Sequence, residues 1–222
     1  DDLPFPAFDL LRRVAYVPIL TSRGCPFSCA YCASSFLEKQ YSQRSPEGVV
    51  EEILYWHRKY QVRDFVFYDD ALLIDAEQHA LPILEAVVRL GLDIRFHTPN
   101  ALHLREIRDE TVALMHRANF VTIRLGLETT DFQKRRALDR KITQTEFQQA
   151  VTRLLSAGFE RAQIGAYLLV GLPDQSIPEI EASIAVVRDH GIQPVLAYFT
   201  PIPHTRIWKQ AVAAARYDIE SD

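Results

Sequence analysis

Cysteine is almost absent from this chain: three among 222 residues, all within eight positions of one another. An odd number packed so closely excludes a disulfide framework and makes a metal or cluster site the better explanation. Long apolar runs are missing too. No stretch approaches the roughly 20 uninterrupted apolar residues of a membrane span, and the N-terminus lacks the basic-then-apolar pattern of a signal peptide. The chain therefore reads as soluble and cytoplasmic. A surplus of positive charge is equally lacking, with 25 Lys plus Arg against 29 Asp plus Glu. That balance provides none of the basic field that nucleic acid or an anionic membrane would need, so neither is expected as a partner. There is no Met at position 1, and Asp1-Asp2-Leu3-Pro4-Phe5-Pro6 has the Pro-rich character of a linker. Residues 1–12 read as a linker-like segment and 13–222 as one domain, in keeping with a chain of this length that is about half apolar.

What is present is a regular alternation. Apolar, β-rich runs fall at Val14 to Thr21, Asp64 to Tyr68, Asp93 to His97, Phe120 to Leu127, Ala162 to Val170 and Val195 to Thr200. Helical periodicity fills 46–60, 76–90, 103–118, 144–157, 177–190 and 204–216. Ser45-Pro46-Glu47 offers an N-cap with Pro at the first helical position, Thr143-x-x-Glu146 has the form of a capping box, and Gly91, Gly158 and Gly191 stand as C-cap signals. Six strand-helix units in this length predict an α/β fold, either a partial (β/α)6 barrel of parallel strands with outer helices or a doubly wound sheet. Both put their chemistry at the carboxyl ends of the strands.

Polar residues cluster at those ends. The loop after the first strand reads Thr21-Ser22-Arg23-Gly24-Cys25-Pro26-Phe27-Ser28-Cys29-Ala30-Tyr31-Cys32, a Cys-x-x-x-Cys-x-x-Cys spacing. Three thiolates can cap three corners of a cubane cluster, and the lack of a fourth leaves one iron without a protein ligand. Buried thiols, or zinc completed by a histidine, are the bland alternatives. The second strand ends in Asp69-Asp70 and the third in His97-Thr98-Pro99-Asn100. The acids also suit a turn or a cap, His97 a structural role, and Asn100 an N-cap. In the fourth strand, period two places Arg124, Gly126 and Glu128 on one face and Ile123, Leu125 and Leu127 on the other. Arg124 and Glu128, roughly 13 Å apart along the strand, could share a ligand or belong to internal salt bridges. Gly171-Leu172-Pro173 and Tyr198 to Pro201 close the fifth and sixth strands, where each is a turn or the lining of a slot. Lys134, Arg135, Arg136, Arg140 and Lys141 form a basic run that reads as a solvated face or as a partner for a carboxylate.

The cysteine loop, with aromatic Tyr31 before its third cysteine, resembles the signature of the radical S-adenosylmethionine (SAM) superfamily. The resemblance implies a [4Fe–4S] cluster on Cys25, Cys29 and Cys32, and SAM chelated to the open iron. Reductive cleavage of SAM to a 5′-deoxyadenosyl radical follows, with an electron donor such as flavodoxin or ferredoxin and a small-molecule substrate. It also implies Asp69 or Asp70 near the ammonium of SAM, Glu128 near its ribose or methionine part, and Tyr31, Asn100, Arg124, Gly171, Tyr198 and Pro201 as further cofactor contacts. The opening Leu3-Pro4-Phe5-Pro6, the approach Thr21 to Pro26 and the strand end Phe96 to Asn100 resemble the subgroup whose core follows a cobalamin-binding domain. That subgroup includes methyltransferases and the anaerobic porphyrin-ring cyclase. The expectation is that this chain is a fragment, with cobalamin chemistry belonging to the whole protein. Methylthiotransferases share the loop but need further cysteines that this chain does not have. Alternatives from other classes are a cluster- or zinc-binding module without radical chemistry, and a metal-free enzyme using Asp69, His97 and Glu128.

Overall fold

The computed structural model describes residues 3–133, 138–139 and 142–221. Lys134, Arg135, Arg136, Arg140 and Lys141, the basic run singled out above, lie outside the described residues. Among the described residues, eight strands and seven α-helices follow one another: β1 (Val17–Ile19), β2 (Ser22–Arg23), α1 (Ser34–Leu37), β3 (Ser42–Gln43), α2 (Pro46–Tyr60), β4 (Asp64–Phe67), α3 (Ala80–Leu90), β5 (Arg95–His97), α4 (Asp109–Arg117), β6 (Phe120–Glu128), α5 (Gln144–Ser156), β7 (Ile164–Val170), α6 (Ile177–Asp189), β8 (Gln193–Tyr198) and α7 (Trp208–Ala214).

Six of the strands form one all-parallel sheet in the order β1-β4-β5-β6-β7-β8. Neighbours in space are neighbours in sequence, with no reversal of order. That is the winding of an incomplete barrel and excludes the doubly wound alternative, which requires a switch point. β2 and β3 pair separately as a small antiparallel ribbon that closes the base of the cysteine loop.

The core lies between the sheet and its helices. Phe65, Phe67, Phe96 and Phe120 come from three adjacent strands, with ring centroids 5.0 to 6.2 Å apart. Ile123, Leu125 and Leu127 are fully buried on that same helix-facing side of β6, as period two predicted. The opposite face of the strands is polar. There the Asp64 carboxylate accepts both Arg95 Nε at 2.7 Å and Nη2 at 2.6 Å, and His97 bridges Asp64 and Thr122 at 3.1 and 2.9 Å. The Arg95 guanidinium holds the Asp64 carboxyl below its ordinary value.

Helix starts follow local chemistry. Ser45 caps α2 by accepting the Gly48 N–H, and Thr143 and Glu146 form a reciprocal capping box on α5. Several predicted elements are shorter than the sequence implied, three of them at identifiable contacts. The first strand ends at Ile19 because Thr21 and Ser22 turn away to bind Asp69. The helix expected from 103 breaks into a 3-10 turn at Leu104–Glu106 and then α4, where Arg153 takes the Ile107 carbonyl. The last helix begins only at Trp208, since the preceding amide, that of Ile207, donates to Ala30 in the cysteine loop. Near the N-terminus, Phe5 and Phe8 pack against Tyr55 and Trp56 of α2. Among the described residues no helix is long and apolar enough to cross a membrane.

Candidate functional site

The cysteine loop runs from β2 to β3 and is fastened on two sides. On one, Asp69 sits just past the end of β4, 3% exposed, and one oxygen, Oδ1, accepts four hydrogen bonds. The donors are Thr21 N at 3.0 Å, Thr21 Oγ1 at 2.7 Å, Ser22 N at 2.5 Å and Ser22 Oγ at 2.6 Å. Its other oxygen, Oδ2, is buried with no partner. Burial outweighs the hydrogen bonds and pushes the Asp69 carboxyl above its ordinary value. Buried His79 completes the network through Nε2, 2.9 Å from Thr21 Oγ1. Burial, with the nearby Arg44 charge adding to it, lowers the His79 value.

On the other side, the Ala30 N–H donates to Leu138 O, and the Ala30 carbonyl accepts the Ile207 N–H. Arg206 Nη2 also donates to Ser28 O at 3.0 Å. Gly24 enters the loop with φ +75°, and a Cβ there would stand 2.9 Å from the Gln40 carbonyl oxygen. Only glycine meets both conditions at that point.

The loop so held forms one wall of a cavity of about 340 Å³ at the carboxyl ends of the strands. Cys25, Cys29, Tyr31 and Cys32 line it from the loop, and Asp70, Asn100, Gly126 and Glu128 line it from β4, β5 and β6 and their ends. Six positions expected at the site, Cys25, Cys29, Tyr31, Cys32, Asp70 and Asn100, thus meet Glu128 around one space. Asn100 does not cap a helix. Its Nδ2 donates to Tyr68 O at 2.8 Å, tying the end of β5 to that of β4. Glu128 ends β6 at φ +62°, beside a register shift against β7. A Cβ on Gly126 would lie 3.2 Å from Glu128 Oε1, so the missing side chain leaves the room that the carboxylate occupies.

Other expected residues lie elsewhere. Asp69 is in the buried network, one residue away from the wall. Arg124 shares the Gly126 face but sits lower, its Nη1 donating to Ile123 O at 2.9 Å. Gly171 turns at φ +90° around the Gln175 side-chain oxygen, which accepts its N–H at 2.7 Å. Tyr198 is 82% exposed, since its neighbour Ala197 takes the cavity-facing position on β8. Pro201 does not line the cavity. Asp69, His97 and Glu128, considered as an acid-base set, are not gathered around one space.

Several lining residues had no sequence signal. The His103 ring lies tilted by 46° against Phe27 with centroids 4.1 Å apart, and Tyr167 donates its hydroxyl to Pro99 O at 2.8 Å. Ser34 donates to Asp70 Oδ2 at 2.8 Å. Alternation along β7 would have flagged Tyr167 once Gly165 was known to face inward; His103, in a loop, carries no periodicity at all.

Among the described residues, no three His, Cys, Asp or Glu converge as they would on a single ion. The three thiols share a wall without meeting at a point, and they carry no disulfide. That arrangement fits thiolates that each bind a separate iron of a cluster, with the rest of the cavity open for a ligand.

Over 96% of its length the chain is 28% identical to an uncharacterized methyltransferase of Pyrococcus horikoshii. Over 85% it is 26% identical to the anaerobic magnesium-protoporphyrin IX monomethyl ester cyclase of Cereibacter sphaeroides. These matches span 47% and 31% of the two relatives, so the chain covers less than half the length of either. The fold resembles the radical SAM methyltransferase TsrM of Kitasatospora setae, solved with cobalamin and a [4Fe–4S] cluster bound. The TM-score is 0.76 at 16% identity, over 89% of this chain and 40% of that one. A family profile described as the Radical SAM superfamily matches residues 19–187, which run from the end of β1 into α6 and take in the whole cysteine loop, and on that match the chain belongs to the radical SAM superfamily.

Proposed function

We propose that this chain is the catalytic core of a radical SAM enzyme, with Cys25, Cys29 and Cys32 holding a [4Fe–4S] cluster and the rest of the cavity holding SAM. The observation that carries this is the shared wall: three cysteines of one loop face Asp70, Asn100 and Glu128 across a space of ligand size. When bound, the cluster supplies an electron that splits SAM to a 5′-deoxyadenosyl radical.

The chain's own residues bind and orient. The carboxylate of Asp70, an exposed group at the cavity edge, suits the ammonium of SAM, whereas Asp69 is spent on the loop; the lining thus favours Asp70 for that role. Glu128 faces the same space from β6, where the geometry suits hydrogen bonds to ribose hydroxyls or to the methionine part. Tyr31 and Phe27 give the cavity an apolar side that excludes water from the reacting end. A one-electron donor of the flavodoxin or ferredoxin class and a small-molecule substrate complete this reading. Methyltransferases and a cyclase among the relatives support a cobalamin-dependent methyltransferase or cyclase as the whole protein, with cobalamin held by parts beyond this core.

Anaerobic reconstitution with iron and sulfide, then SAM and dithionite, tests it. The expected result is on the order of four irons per chain, lost on Cys25→Ala, Cys29→Ala or Cys32→Ala, and 5′-deoxyadenosine from the loaded protein. Tight zinc with no iron uptake would refute it.

A further inference from the structure

The two consecutive acids after β4 close the two ends of the cysteine loop. Asp69 takes Thr21 and Ser22, which lead into the loop. Asp70 takes Ser34, which leads out of it: the Ser34 hydroxyl donates to Asp70 Oδ2 at 2.8 Å. Ser34 also touches the third cysteine. Its backbone N–H donates to Cys32 Sγ at 3.4 Å, and the Cys32 thiol lies 3.2 Å from Ser34 Oγ. Cys32, Ser34 and Asp70 all line the cavity.

These contacts are not equivalent once Cys32 is a thiolate ligand. The thiol can then no longer donate to Ser34 Oγ, while the backbone N–H remains a donor to sulfur. The Ser34 hydroxyl then has the Asp70 carboxylate at 2.8 Å as its nearer and stronger acceptor, with the thiolate sulfur at 3.2 Å as a weaker one. An exposed carboxylate at a cavity edge otherwise samples several rotamers, and a ligand must select one of them. The bond to Ser34 fixes one oxygen of Asp70 relative to Cys32 and leaves the other for a cation.

The geometry points to Ser34 as a positioning residue that sets Asp70 at a fixed place relative to the third cysteine, so that the ammonium of SAM and the open iron are addressed together. The inference rests on the proposed function and deepens it. Ser34 touches neither the reacting atoms nor the metal through its side chain; it works through Asp70.

The test compares wild type, Ser34→Ala and Ser34→Thr in the full protein, reconstituted anaerobically. Three quantities are read: iron per chain, SAM affinity by equilibrium binding, and the electron paramagnetic resonance spectrum of the reduced cluster with and without SAM. Ser34→Ala keeps the backbone N–H to Cys32, so iron content should stay at the wild-type level. SAM should bind about five- to tenfold more weakly, the loss of one charge-assisted hydrogen bond's ordering. The spectrum with SAM should broaden toward a mixture, and Ser34→Thr, which keeps the hydroxyl, should restore both. A Ser34→Ala protein with full iron, unchanged SAM affinity and an unchanged spectrum overturns the inference, as does a Thr variant as weak as the Ala one. If Ser34→Ala takes no iron, Ser34→Thr decides: loading and binding SAM as wild type supports the hydroxyl, and failing as Ala does reduces the role to steric fit and overturns it. Wild type that takes no iron or binds no SAM refutes the proposed function itself, a separate outcome read from a separate sample.

Discussion

Replacing Asp69 separates its hydrogen bonds from its charge. In Asp69→Ala the backbone N–H groups of Thr21 and Ser22 lose their acceptor, and these residues are 0% and 2% exposed. Each stranded donor costs about 1–3 kcal/mol, so the pair loses about 2–6 kcal/mol, a large part of the roughly 5–15 kcal/mol that holds a domain folded. Asp69→Asn keeps an oxygen where Oδ1 stands and puts an amide where Oδ2 has no partner. It should cost about 1–3 kcal/mol at neutral pH, less than Asp69→Ala, because the amide stands there without a partner while the buried charge is removed. The pH dependence sharpens the contrast. The carboxyl's value in the folded protein lies above its ordinary one, so the folded state holds the proton to higher pH than the unfolded chain does. The stability this gives is full below the unfolded value and is lost as pH rises through the folded one. Asn does not titrate there, so wild type should lose stability relative to Asp69→Asn as pH rises from about 4. Urea denaturation of the iron-free protein, followed by circular dichroism across that range, measures it. A difference between wild type and Asp69→Asn that does not move with pH, or an Asn variant as unstable as Ala, would refute the account of a buried carboxyl held through one oxygen.

Glu128→Ala should raise the SAM dissociation constant about tenfold with iron content unchanged; equal affinity would make Glu128 structural. Gly24→Ala must adopt φ +75° against the Gln40 carbonyl, at a cost of about 2 kcal/mol. Its iron loading and denaturation midpoint should fall together, and a variant that loads like wild type would refute the tight loop entry. Asp64→Asn acts in the opposite pH direction from Asp69→Asn. Arg95 holds the Asp64 value down, so its stabilisation is present above the unfolded value and is lost as pH falls through the folded one. Wild type and Asp64→Asn should differ at neutral pH and converge in acid; a constant gap would sink this.

Much of the molecule was legible in the sequence because its determinants are local. The alternation of Ile123, Leu125 and Leu127 with Arg124, Gly126 and Glu128 needs only the period of a strand, and β6 is built that way. Ser45 and the Thr143–Glu146 box mark helix starts through contacts three residues apart. Gly24 and the Cys-x-x-x-Cys-x-x-Cys spacing lie within one loop. Six such units, strand then helix, predict parallel pairing and chemistry at the carboxyl ends, and the cavity lies there.

The tertiary structure decided what depends on partners far along the chain. Asp69 and Asp70 are identical neighbours in the sequence, and only the fold gives one to Thr21 and Ser22, 48 and 47 residues away, and the other to Ser34 at the cavity. His103 reaches the wall from a loop that no period encodes, while Tyr198, one residue from Ala197, falls on the outer face. Residue type and spacing set which chemistry the chain can perform. Which carboxylate faces the ligand and which is spent holding the loop follows from hydrogen bonds closed across the fold, and those exist only once the strands have paired.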